Sequence, residues 1–106
     1  MTTSFKQAYN DWRSIEQILE ESLQAAPDKY VGVIEDAIAA VETVITDIED
    51  RQLQNSEKAY KPIIANLGQV TSSLQGAQDQ AKSFIDAAGK ADQLIALLGK
   101  LMPLLA

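Results

Sequence analysis

The sequence predicts an all-α fold, an antiparallel bundle of four helices in a single domain spanning residues 1–106. From Tyr60 to Leu105 an apolar or small residue recurs at alternating steps of three and four: Tyr60, Ile63, Leu67, Val70, Leu74, Ala77, Ala81, Phe84, Ala88, Ala91, Ile95, Leu98, Met102 and Leu105. That spacing lays one narrow stripe along a helix that faces other helices. Residues 5–48 keep the same alternation on both sides of a break at Ala26–Pro27. A single helix over the whole second half would also be far longer than the two before it, so either the chain folds back or half of that helix lies unpaired.

The first helix is expected from Ser4 to about Ala25. Phe5, Ala8, Trp12, Ile15, Leu19, Ser22 and Ala26 form its stripe, and Tyr9, Ile18 and Leu23 widen it for packing on two neighbours. The hydroxyl of Thr3 or Ser4 can cap the N-terminus. Pro27 ends the helix, because it lacks an N–H and disfavours helical dihedrals at Ala26.

Helix two is expected to start at Asp28, a good N-cap whose charge suits the positive end of the helix dipole. Its seam, Val31, Ile34, Ile38, Val41, Ile45 and Ile48, is wholly β-branched. The three–four spacing of these residues nevertheless marks a helix rather than a strand. The two-residue break before it makes helices one and two an antiparallel hairpin. A turn near Gln54–Ser56 is expected next, with Asn55 or Ser56 capping helix three. The alternative carries helix two on to about Tyr60 and starts helix three at Pro62.

A continuous helix from Glu57 to Leu101 would be about 67 Å long, against roughly 33–38 Å for each of the first two. Gly68, Gly76, Gly89 and Gly99 are candidate bend points, since glycine weakens a helix interior. Between Ala77 and Ala91 the stripe is mostly alanine, so Ala87–Ala88–Gly89–Lys90 is its weakest stretch, and Gly89 can serve as a left-handed C-cap. A bend there gives four helices. The alternative is a three-helix fold whose very long third helix overhangs and self-associates as a coiled coil.

Composition excludes more than it assigns. With 46 % hydrophobic and 23 % charged residues the chain is an ordinary folding sequence, and with no cysteine it holds neither a disulfide framework nor a thiolate metal site. There is no histidine, so the Glu-x-x-His chemistry of di-metal bundles cannot form. Neither a calcium loop nor a glycine-rich phosphate loop occurs. Without His and Cys most acid–base and nucleophilic schemes lose their usual players, so no catalytic, cofactor or metal residues are assigned and an enzyme is not expected.

The net charge of −6 sits in the first half, where residues 1–53 carry four basic against eleven acidic side chains. Such a surface repels phosphate backbones, so nucleic acid is not an expected partner. Glu35, Asp36, Glu42, Asp47, Glu49 and Asp50 read as a solvated acidic face. The first ten residues lack the apolar core of a secretory signal, and no run approaches a membrane-spanning length. A cytoplasmic location is expected, with leaderless export as the alternative.

Two features point to partner binding. Phe5, Tyr9 and Trp12 form an aromatic stripe whose default is core packing, with Trp12 the candidate hot spot. The tail is the other: Leu94, Ile95, Leu97, Leu98, Leu101, Met102, Leu104 and Leu105 cover more than one stripe of a helical wheel. Leu94, Leu97, Leu98, Leu101, Leu104 and Leu105 are the candidate binding residues, for a protein partner or a second copy. The Ala/Gln/Ser-rich segment Gln69–Ala88 is similar in composition to granule-coating and apolipoprotein-type helices. That resemblance implies a second reading, reversible binding to a membrane or apolar particle.

Overall fold

The computed structural model describes residues 4–55, 63–85 and 89–105, with side chains up to residue 51 in the second helix. Four helices pack in a ring: α1 (Phe5–Ala25), α2 (Asp28–Asn55), α3 (Leu67–Phe84) and α4 (Lys90–Leu101), followed by a 3-10 turn, Met102–Leu105. No strand occurs among the described residues. The longest dimension is 41 Å, too short for a straight second-half helix of about 67 Å. The fold is therefore the four-helix bundle.

In α1 the Ser4 hydroxyl accepts the Gln7 N–H at 3.1 Å, supplying the N-cap. Phe5, Ala8, Trp12, Ile15, Ile18 and Leu19 are buried, and Ser22 joins them by donating its hydroxyl to the Ile18 carbonyl at 2.7 Å. Ala26 is extended (φ −73°, ψ 147°), as a residue before proline should be, and the chain reverses into α2.

Asp28 is the first helical residue of α2 rather than its cap, so its contribution is through the helix dipole. Ile34, Val41, Ile45 and Ile48 of the expected seam are buried, but Val31 and Ile38 are only half-buried. Ala37, Ala40 and Val44 are buried beside them. The shift follows from position, because α2 packs on α1 on one side and α3 on the other and needs a face broader than one stripe. Its small alanines let a neighbouring helix approach closely.

The expected start of helix three near Asn55–Ser56 is corrected, as is a start at Pro62. Ile63 and Ile64 are not helical, Ala65–Asn66 forms a turn, and α3 begins at Leu67. The Asn66 carbonyl accepts the N–H groups of Gln69 and Val70, while its side chain makes no cap bond. The segment before α3 is tied instead to α2, the Ile63 N–H donating to the Asp47 carboxylate at 3.4 Å. Ile63 is 76 % exposed, so the core stripe starts later than the periodicity suggested, with Val70, Leu74, Ala77, Ala81 and Phe84. Helix two does reach Asn55, but its extension to Tyr60 and any capping by Ser56 lie outside the described residues, as do Glu57 and Pro62 themselves.

Between α3 and α4 the chain folds back. Gly89 has φ +74°, yet it precedes α4 rather than closing α3, which ends at Phe84. The left-handed residue is thus an N-terminal device and not the expected C-cap; Ala87 and Ala88 lie outside the described residues. The break also releases the heptad phase. In α4 the buried residues are Leu94, Leu98 and Leu101, with Leu105 in the 3-10 turn, where an unbroken stripe would have used Ile95 and Met102. The ring closes by α4 packing antiparallel on α1: Lys90 faces Glu21 at 4.0 Å, and Lys100 meets Asp11 at 2.8 Å.

Candidate interaction surface

The structure places most of the predicted binding residues inside the bundle. Trp12, Leu94, Leu98 and Leu101 are fully buried, and Leu105 nearly so. Leu97 and Leu104 are half-buried, resting against the core together with Ile95 and Met102. These four apolar side chains flank the anchors of α4 and its turn, which is the geometry a broad leucine-rich segment must produce. One helical stripe fills the core and the remainder spills onto its shoulders. The aromatic stripe of α1 behaves alike: Phe5 lies in the core beneath the Arg51 guanidinium at 5.2 Å, and Tyr9 packs at its edge. The Trp12 indole N–H is buried without a hydrogen-bond partner, the single such side-chain atom among the described residues.

The acidic face divides into two parts. Glu35, Asp36, Glu42, Glu49 and Asp50 are exposed, as expected of a solvated charge run. Asp47 is half-buried and pairs with Arg51 at 3.4 Å. A tighter group forms across the hairpin, where carboxylate oxygens of Glu16, Glu20 and Glu42 lie within 4.8 Å of one another. Only 12 % of the Glu16 side chain is exposed, and its carboxylate takes the Arg13 guanidinium at 3.0 Å. Burial pushes the Glu16 carboxyl above its ordinary range; Arg13 opposes this, and Glu20, Glu42 and Glu49 add to it. This cluster was missed in sequence because its members come from two helices. The Ala26–Pro27 turn could have signalled it, since that turn brings α2 back along α1 and sets Glu42 within reach of Glu16.

A groove of about 240 Å³ between α2 and α3, lined by Val33, Asp36, Ser72, Ser73 and Gly76, is accompanied by two smaller clefts between helices. One of about 160 Å³ runs along the α2–α3 seam, lined by Asp36, Ala40, Thr43, Gln69 and Ser73 among others. The other, about 130 Å³, lies between α1 and the α3–α4 connection, with Ile18, Ala25, Phe84 and Ile85 below and Glu21 and Lys90 at its rim. Both are smaller than the roughly 300–1,000 Å³ of a small-molecule site. Among the described residues no helix is long and apolar enough to cross a membrane. Comparison with known protein families, curated proteins and solved structures finds no match for this chain.

Proposed function

We propose that this bundle is a non-enzymatic interaction or assembly module, acting on a protein partner or a second copy through the apolar shoulders of α4. One observation carries the reading: Ile95 and Leu97 of α4 and Met102 and Leu104 of its 3-10 turn are only partly buried, beside Leu94, Leu98, Leu101 and Leu105, which are buried. Apolar groups left at the rim of a helix gain by being covered, at about 25 cal/mol per Å² of apolar surface removed from water. A cytoplasmic setting belongs to this reading, and a chain without cysteine is compatible with any compartment. Size exclusion with light scattering tests the reading. The intact chain should run as a dimer or carry a co-purifying partner, and Leu97→Gln with Leu104→Gln should dissociate it. A strict monomer without a partner, indifferent to those changes, would sink the proposal.

A second reading, reversible binding to a membrane or apolar particle by opened helices, is favoured by α3. Its Gln69, Ser72, Gln75 and Ser83 are exposed, and Asp79 and Lys82 are its only charged residues. Such a face offers little charge to resist transfer to an interface. Vesicle flotation decides it: absence of the chain from both neutral and anionic floated vesicles removes this reading.

A further inference from the structure

We propose that the seam between α2 and α3 is a docking groove for a basic amphipathic helix of another protein. This surface is separate from the α4 shoulders and does not depend on them. The groove at Val33 and Gly76 and the cleft at Ala40 and Val70 run into each other, sharing Asp36 and Ser73 in their walls. An open hollow on α2 that reaches Thr46 continues the cleft, sharing Ala39 and Thr43 with it. From Val33 to Thr46 the whole extends about 20 Å along α2, room for a helix of roughly three to four turns. The bundle leaves this room unused. A Cβ built at Gly76 meets nothing within 4 Å, although Gly76 lies inside α3, where glycine weakens the helix. Ala39 is exposed at the same seam. Small residues there admit the close approach of another backbone, and no helix of this chain takes it up.

Charge names the occupant. Residues 30–50 and 66–81, which supply both walls, hold seven acidic side chains and no lysine or arginine. Among the described residues Glu35, Asp36, Glu42, Glu49 and Asp50 form no ion pair, and Glu42 lies beside the carboxylates of Glu16 and Glu20. A long concave surface of one sign focuses its field on whatever enters and selects a cationic partner. A second copy of this chain, with its net charge of −6, is repelled from it. The floor is apolar, with Ala40 and Val70 both buried. It takes the apolar stripe of an incoming helix, while Asp36 and Glu42 meet lysines or arginines on the helix flank.

Fluorescence anisotropy tests this with a synthetic helical peptide of about fourteen residues, built of leucine, alanine and lysine with its leucines at three–four spacing. Its counterpart with glutamate for lysine is the control. The intact chain should bind the lysine peptide and not the glutamate one. Asp36→Lys should weaken binding about tenfold by setting like charges together. Asp92→Lys makes the same charge change on exposed α4 surface away from the groove and should alter binding less than about twofold. Ala39→Leu and Gly76→Leu each fill the groove and should each cost about tenfold. Gly76→Leu should also keep or raise the melting temperature, since leucine is the better helix former, so its loss of binding is not misfolding. No binding of the lysine peptide overturns the proposal. So does equal weakening by Asp36→Lys and Asp92→Lys, or indifference to both leucine variants, since either result marks diffuse attraction to an acidic protein. A dimer of the chain alone that both leucine variants dissociate would make the occupant a second copy and overturn it equally. Leu97→Gln with Leu104→Gln should leave peptide binding unchanged, so this surface and the α4 reading stand or fall separately.

Discussion

Truncating α4 one residue at a time tests the rotation of its buried stripe. Leu94 and Leu101 are fully buried, whereas their sequence neighbours Ile95 and Met102 are half-buried. Leu94→Ala or Leu101→Ala removes a side chain from a closed core and should cost about 2–5 kcal/mol, the transfer term plus the cavity left behind. Ile95→Ala or Met102→Ala forfeits roughly half of the 1.5–3 kcal/mol that full burial of such a side chain is worth, hence about 1 kcal/mol, with little cavity. A domain of this size has about 5–15 kcal/mol in all, so the first pair should lower the melting temperature by on the order of 15 °C and the second by about 5 °C. Urea and thermal unfolding followed by far-UV circular dichroism read both. The reasoning fails if Ile95→Ala costs as much as Leu94→Ala. That result would restore the unbroken heptad phase through Gly89.

Three further changes probe local features. Glu16→Gln should alter the pH dependence of stability: the raised folded-state carboxyl contributes stability fully present below its ordinary 4.5 and lost as pH rises through the raised value. The parent should therefore weaken between weak acid and neutrality, and the variant should match or exceed it at pH 7, the gap closing below pH 4.5 in melting scans; a parent more stable at pH 7 would reverse the assigned sign. Gly76→Ala places a Cβ where nothing lies within 4 Å, inside α3, and should add about 0.5–1 kcal/mol in urea titrations. Ser4→Ala removes the hydroxyl that accepts the Gln7 N–H and should cost about 1 kcal/mol in the same titration.

The first hairpin was legible because its signals are local. Ser4 caps, Pro27 stops, and one stripe of large residues packs. Legibility fell where the cause lay elsewhere in the chain. In α2 the buried Ala37 and Ala40 carry no hydropathic emphasis, and their burial follows from α2 packing on both α1 and α3. The start of α3 depends on the register against α2, where Asp47 receives the Ile63 N–H, and periodicity extended the stripe several residues too far. In α4 the phase was read across a break that resets it. The tail's leucines were recognised as more than one stripe, yet which of them point inward depends on how α4 seats against α1, through pairs such as Lys100–Asp11. The Glu16, Glu20 and Glu42 group escaped for a related reason, being dense in space but dispersed along the chain.

Among the described residues, two groups on α1 make its burial costly. Glu16 is held among like charges at the α1–α2 seam, and the Trp12 indole N–H is buried without a partner one turn before it. Both lie on α1, the helix that also closes the ring against α4. A core selected for stability alone would place phenylalanine at position 12 and glutamine at position 16, and neither change would disturb the helical pattern. Retaining both destabilising groups lowers the cost of parting α1 from its neighbours.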